Sequence, residues 1–178
     1  MALPTAVATI HTTLGDIKVN LFGNHAPVTV DNFIGLATGT KEWKHPGTGE
    51  VTTTPLYDGV IFHRIIKEFM LQGGDPLGQG TGGPGYEFDD EINPELNFNE
   101  PYVFAMANAG SRGGKGTNGS QFFIMHIDYP LPPSYSKFGR VLEGQEVVDA
   151  IANVDRNSSD KPLEPVVMER VYIEEPAS

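Results

Sequence analysis

Cysteine is absent from the 178 residues. That excludes disulfides, thiolate nucleophiles and cysteine-ligated zinc or iron–sulfur centres, and it suits a reducing compartment. Basic residues are scarce too: 12 Lys and Arg stand against 23 Asp and Glu, for a formal net charge of −11. Such a chain is not drawn to nucleic acid or to an anionic membrane by charge. No window approaches the roughly 18 uninterrupted apolar residues of a spanning helix. Met1-Ala2-Leu3-Pro4-Thr5 offers no basic segment leading into a long apolar core, so no secretory leader is read there. A soluble, cytoplasmic protein is expected, with neither nucleic acid nor membrane among its partners. Of the five histidines, His11, His25, His45, His63 and His126, none has a partner at i+2 or i+4. A metal site is therefore not expected. A G-x-S-x-G nucleophile elbow is also missing.

What the chain does contain is an ordinary globular composition, 39% apolar and 20% charged. Its length suits one domain with a sizeable core. Residues 7–13 and 17–22 are rich in branched side chains and flank Leu14-Gly15-Asp16, the pattern of a hairpin. Ile17, Val19 and Leu21 alternate with Lys18 and Asn20, as a strand with one buried face requires. Pro27 then stands near a helix start, and Val30, Phe33, Ile34 and Ala37 form one helical stripe ending near Thr38-Gly39. Residues 40–56 are polar, with Pro46, Gly47, Gly49 and three successive threonines, and they hold the only tryptophan, Trp43. They read as a long surface loop of the kind a tolerated insertion makes. Further strands are expected at 102–108, 121–127, 136–142 and 166–173, with a proline-rich turn at 130–134. A second helix is expected at 146–152, where Val147, Val148 and Ile151 have helical spacing. Many short strands, glycine-rich turns and only two helices predict a mainly β fold, a closed antiparallel barrel or a sandwich, in a single domain.

Two glycine-rich stretches resemble nucleotide loops and fail the same test. Residues 78–83 satisfy G-x-G-x-x-G, yet Pro84-Gly85-Tyr86 follows where a helix must open. In residues 109–116 Gly114-Lys115 is in place, but no helix follows, and Gly116 stands where a magnesium-binding hydroxyl belongs. Both read as structural loops.

The informative stretch is Phe62-His63-Arg64-Ile65-Ile66-Lys67-Glu68-Phe69-Met70-Leu71-Gln72-Gly73-Gly74-Asp75. A permanently charged guanidinium in so apolar a run is either paired or faces a pocket where a ligand meets it. The second reading is the better one. Two strand-like segments with a bend between them would bring Gln72 near Arg64. Gln121-Phe122-Phe123 and Met106-Ala107-Asn108 add apolar surface and amides. Phe62, Phe104 and Phe122 read as core.

Phe62-His63-Arg64-Ile65-Ile66, Phe69-Met70-Leu71-Gln72-Gly73-Gly74-Asp75, Met106-Ala107-Asn108-Ala109-Gly110, Thr117-Asn118-Gly119-Ser120-Gln121-Phe122-Phe123-Ile124 and Phe138-Gly139-Arg140-Val141 closely resemble the cyclophilin family of peptidyl-prolyl cis–trans isomerases, collinearly over about residues 6–174. The two glycine loops and residues 40–56 look like its bacterial, single-domain version. The resemblance implies an eight-stranded antiparallel barrel capped by two helices, with a substrate groove on its outer face. It implies catalysis by Arg64, supported by Gln72, Phe69 and Asn108, without cofactor or covalent intermediate. It also implies a proline pocket of Phe69, Met70, Phe123 and Leu131, in a groove completed by His63, Gln72, Ala107, Asn108, Ala109, Gln121 and Tyr135. Partners would be proline-containing unfolded or flexible polypeptides, met by a monomer. Four departures stand out. Lys67-Glu68 replaces a common Pro-Gly, and Ser111 to Gly116 lengthens the loop after Asn108. Tyr129 or Pro130 falls where many members carry the tryptophan associated with cyclosporin sensitivity, and Tyr135 falls at a common groove histidine. Cyclosporin binding is therefore expected to be weakened.

Overall fold

The first hairpin forms as its alternation requires. In the computed structural model, which describes residues 3–96, 100–128 and 135–176, β1 (Ala6–Thr12) pairs antiparallel with β2 (Gly15–Leu21). Ile17, Val19 and Leu21 are fully enclosed, while Lys18 and Asn20 on the opposite face are not. The expected turn at 130–134, and Leu131 with it, lies outside the described residues.

The remaining strands are β3 (Trp43–Lys44), β4 (Val51–Thr52), β5 (Val60–Ile61), β6 (Arg64–Ile66), β7 (Met70–Gly73), β8 (Val103–Met106), β9 (Phe122–Met125), β10 (Lys137–Glu143) and β11 (Val167–Glu174). Nine of the eleven strands among the described residues form one antiparallel sheet in the order β5-β11-β1-β2-β10-β8-β9-β7-β6. Its two end strands, β5 and β6, are consecutive in the chain and separated only by Phe62-His63. The sheet therefore closes on itself through a single interrupted strand. The Phe62 N–H donates to the Val166 carbonyl at 3.0 Å, extending the β5–β11 ladder into the interruption. Counted that way the barrel has eight strands, and the sandwich alternative falls away.

Aromatic rings fill the interior. Phe62, Phe104, Phe122 and Phe138 are fully buried, and Phe104 lies 4.6 Å from Phe122 and 4.9 Å from Phe138, centroid to centroid. Helix α1 (Pro27–Thr38) lays Phe33 among the same rings. Its N-cap residue, Ala26, has no capping side chain, so Glu91 takes over the role. Its carboxylate accepts from the Val28 and Thr29 N–H groups at 3.1 and 2.6 Å, a negative charge at the positive helix end. The helix stops at Gly39, where a left-handed φ of 79° lets the N–H return to the Gly35 carbonyl at 3.1 Å. The buried face is wider than the expected stripe: Leu36 is enclosed and Ile34 only partly so. Its polar flank is covered too, because Asn32 donates to the Gly119 carbonyl and bonds the Tyr86 hydroxyl. Helix α2 (Gln145–Ala152) buries Val148 and Ile151, and its neighbours include β2, β6 and β7.

Residues 40–56 correct the expectation of a plain surface loop. β3 and β4 pair there, Trp43 is only 6% exposed, and its indole donates to the Thr54 carbonyl at 2.7 Å. A polar composition had concealed one apolar anchor. No described helix is long and apolar enough to cross a membrane.

Phe122 touches the rings of Phe33, Tyr57, Phe62 and Phe104 at centroid distances of 4.6–6.1 Å. Phe122→Ala should lower unfolding free energy by about 3–5 kcal/mol in urea titrations with an unchanged m-value.

Candidate active site

Strand alternation sorts the sheet's side chains onto two faces. Ile65, Leu71, Ile124 and Phe104 lie opposite one another across β6, β7, β9 and β8 and belong to the barrel core. The neighbouring row, one residue on, is Arg64, Gln72, Phe123 and Ala105. A period of two puts that row on the outer face, together with Met70 and Met125, which pair across β7 and β9. Met70, Val103, Ala105, Phe123 and Met125 form a second apolar cluster apart from the core, with Phe69, Ala107 and Tyr135 packed against it. The sheet thus presents an apolar patch to the outside, with one arginine in the same row.

The patch is hollow. A recess of about 170 Å³ is lined by Arg64, Phe69, Met70, Gln72, Ala107, Asn108, Phe123 and Tyr135. The Tyr135 ring stands edge-on to Phe123 at 5.4 Å and 87°. Arg64 is exposed, and its guanidinium makes no hydrogen bond or ion pair to any described residue. Of the two ways to accommodate a charge in an apolar run, the structure uses the open pocket.

A larger cleft of about 530 Å³ adjoins the recess and shares Gln72, Ala107 and Asn108 with it. One wall is the glycine-rich segment 80–85, another the segment 109–121, and Pro46 of the β3–β4 hairpin joins the rim. Ala109 and Gln121 line this cleft rather than the recess. His63 stands apart from the other expected groove residues, because its side chain is only 7% exposed and lies beneath Gly80. Burial holds its imidazole below the ordinary histidine value; Lys161 and Arg64 push the same way and Asp75 opposes.

Hydrogen bonds fix these walls. Asp75, fully buried, accepts from the N–H groups of Leu77, Gln79, Gly80 and Gly82 at 2.7–3.1 Å, so segment 76–82 winds around one carboxylate. Only glycine fits at 82, where a Cβ would lie 2.0 Å from Asp75 Oδ1. The G-x-G-x-x-G spacing is the imprint of that winding, as the loop reading anticipated. Gln121 Nε2 donates to the Gly80 and Gly82 carbonyls at 3.0 and 2.9 Å, while its Oε1 accepts from Gln72 Nε2 at 2.9 Å. Gln72, expected to support Arg64, lies opposite it in register and donates one amide N–H to Gln121.

Asn108 is held by its side chain. Oδ1 accepts from the Gly110 N–H at 3.0 Å, and Nδ2 reaches Asn118 Oδ1 at 3.3 Å. Its backbone N–H and C=O bond to no described residue and remain available to an extended chain. Sequence reasoning missed the supports, Asp75, Thr117 and Asn118. Thr117 Oγ1 accepts from the Ala109 N–H at 2.8 Å, and Asn118 Nδ2 donates to Asp90 at 2.8 Å and to the Phe88 carbonyl at 3.0 Å. Their enclosure of polar groups is invisible in one dimension.

The class this defines is a closed β-barrel with an open groove on its outer face, apolar in one part and lined by backbone in another, with one exposed arginine beside it. Residues 7–173 match the model of the cyclophilin type peptidyl-prolyl cis-trans isomerase/CLD family. Peptidyl-prolyl cis-trans isomerase A of Mycobacterium tuberculosis is 53% identical over 174 residues, 96% of this chain and 93% of that protein. Peptidyl-prolyl cis-trans isomerase B of Streptomyces anulatus is 55% identical over 171 residues, 94% of this chain and 95% of that one. A crystal structure of a Cryptosporidium parvum cyclophilin type peptidyl-prolyl cis-trans isomerase, obtained in the presence of the dipeptide Ala-Pro, superposes with a TM-score of 0.82 at 34% identity, covering 96% of this chain and 99% of that one. The chain belongs to the cyclophilin family and is a peptidyl-prolyl cis–trans isomerase.

Burial alone would push the Asp75 carboxyl up, but its four backbone donors outweigh that and hold it below the usual carboxylate range. A carboxyl lowered on folding contributes stability that is complete above its unfolded value, near 3.8, and is lost as pH falls through the folded value. Asp75→Asn should therefore flatten the acid limb of the pH–stability curve below about pH 4. It should also cost about 1–3 kcal/mol at neutral pH, because an amide cannot accept at every point a carboxylate can.

Proposed function

We propose that Arg64 drives isomerisation by donating to the proline nitrogen of a twisted X–Pro bond seated in the recess. The observation that carries this reading is a guanidinium without a partner among the described residues, set beside the apolar lining of Phe69, Met70 and Phe123. Rotation about a peptide bond faces about 18–20 kcal/mol because the C–N bond is partly double. Uncatalysed X–Pro exchange takes tens to hundreds of seconds. In the twisted transition state the proline nitrogen leaves conjugation and regains a basic lone pair. A donor aimed there binds the twisted form better than either planar isomer, which is what lowers a barrier. Arginine suits the task because it stays charged at every working pH. Nothing covalent forms or breaks, so neither nucleophile nor metal takes part.

The recess seats the proline ring between Phe69, Met70, Phe123 and Tyr135, and Leu131 is assigned to the same pocket by the family pattern. The free N–H and C=O of Asn108 hold the substrate backbone, and Ala107, Ala109, Gln72 and Gln121 line its path. Buried His63 supports the wall from behind. Substrates are proline-containing segments of unfolded or flexible polypeptides, whose folding the enzyme assists as a cytoplasmic, single-domain monomer.

Exchange spectroscopy on a proline peptide tests the mechanism. Arg64→Ala should lose about 10- to 150-fold in kcat/KM, the factor a charge-assisted hydrogen bond of about 1.5–3 kcal/mol represents, and equal rates for the two proteins would refute it. Cyclosporin should inhibit weakly, because Tyr129 or Pro130 and Tyr135 replace the family's usual tryptophan and histidine; nanomolar inhibition would contradict that.

A further inference from the structure

The turn that delivers Phe69 to the recess has a conformation its own residues do not favour. It runs Ile66-Lys67-Glu68-Phe69 and is closed by the Phe69 N–H on the Ile66 carbonyl at 3.0 Å. Glu68, its third residue, has φ 61°, the positive value that turns of type II require and that glycine adopts freely. The side chains of Lys67 and Glu68 are exposed and make no hydrogen bond or ion pair among the described residues.

What holds the turn comes from elsewhere. The Glu68 N–H donates to His126 Nδ1 at 3.0 Å, and the His126 N–H donates to the Phe69 carbonyl at 2.9 Å. A backbone N–H can only donate, so Nδ1 is the acceptor and the ring proton sits on Nε2. Nε2 lies 3.2 Å from Asp149 Oδ1 on α2, which also accepts from the Tyr102 hydroxyl at 3.1 Å. The imidazole, 12% exposed, is thus fixed at both nitrogens, one on the helix and one on the turn.

We propose that His126 is a positioning residue for the isomerase reaction. Using α2 as its anchor, it clamps Glu68 in the left-handed conformation and so sets Phe69 and Met70 at the distance a proline ring requires. His126 lines no part of the recess and acts only through the turn. The proposal rests on the reading of Phe69 and Met70 as proline-binding residues.

The test compares X–Pro exchange in His126→Ala, in His126→Asn and in His126→Ala combined with Glu68→Gly. His126→Ala should lower kcat/KM about fivefold, the factor one neutral hydrogen bond is worth. His126→Asn should recover most of that loss, because its Oδ1 takes the place of Nδ1. Adding Glu68→Gly to His126→Ala should also recover it, since glycine keeps a positive φ without a clamp. The Glu68 amide resonance should move in His126→Ala and return in His126→Asn. A wild-type rate in His126→Ala overturns the proposal, as does a loss that neither Asn nor the added glycine restores, which marks general destabilisation. If His126→Ala does not fold, His126→Gln replaces it, with its polar atoms at the Nε2 position and the same expected loss. Arg64→Ala separates the two ideas: an unchanged rate there strikes at the mechanism of the site, while the Glu68 resonance still reports on the clamp.

Discussion

A sheet closes into a ring only when its two end strands are joined, and here they are the two halves of one broken strand. β5 pairs with β11 and β6 pairs with β7, with Phe62-His63 between them. The break lets each half satisfy one neighbour without forcing a single register on both. It also leaves the free edge of β6 to be covered by other means. The Ile65 N–H donates to the Asp160 carbonyl at 2.8 Å, and Arg156 donates to the Ile65 carbonyl at 2.7 Å, so the strand bearing Arg64 offers no open ladder to another chain. Arg64 stands at the seam of the barrel, where a strand three residues long exposes it on the outer face while Ile65 points into the core.

The loops beside the seam are organised by buried polar groups. Asp75 collects four amides, Gln121 ties the resulting loop to Gln72, and Gln72 lies across from Arg64. From the other side, Ser120 donates to the Gly74 carbonyl at 2.7 Å, and its own carbonyl accepts from the fully buried Tyr57 hydroxyl at 2.9 Å. The groove walls are continuous with the aromatic core through these bonds. On the proposed reading of the groove, a wall fixed in this way loses little freedom when a peptide arrives, so the interaction is directed at the reacting bond.

Much of this was legible in one dimension because it depends on period. The alternation of Ile17, Val19 and Leu21 read as a half-buried strand, and Gly39 closed the helix where expected. The long collinear motifs carried the family, and with it the barrel and the groove. What stayed hidden depends on distant pairs. Glu91 caps a helix 62 residues away, and the turn bearing Glu68 is held from position 126, 58 residues on. Asp75 was quoted within a motif, yet its role is visible only once the glycine loop folds over it. Trp43 was misjudged because its surroundings are polar and a two-residue strand has no period to detect.

Why an exposed arginine should need an apolar neighbourhood follows from the dielectric. In the free chain the Arg64 guanidinium is hydrated, and in water a unit charge at 4 Å is worth only about 1 kcal/mol. On the proposed mechanism, a proline ring seated against Phe69, Met70 and Phe123 would displace that water and lower the local dielectric, and the same charge would then act more strongly on the nitrogen lone pair. The apolar wall and the charge are therefore not separate contributions to be added, because each sets the strength of the other. A barrier reduction of about 7 kcal/mol, or roughly 10⁵-fold, exceeds what one charge-assisted hydrogen bond supplies. On the proposed mechanism the difference comes from this coupling and from a backbone grip at Asn108. On the same reading, small displacements of Phe69 weaken the arginine as well as the packing, because a recess that admits water raises the local dielectric.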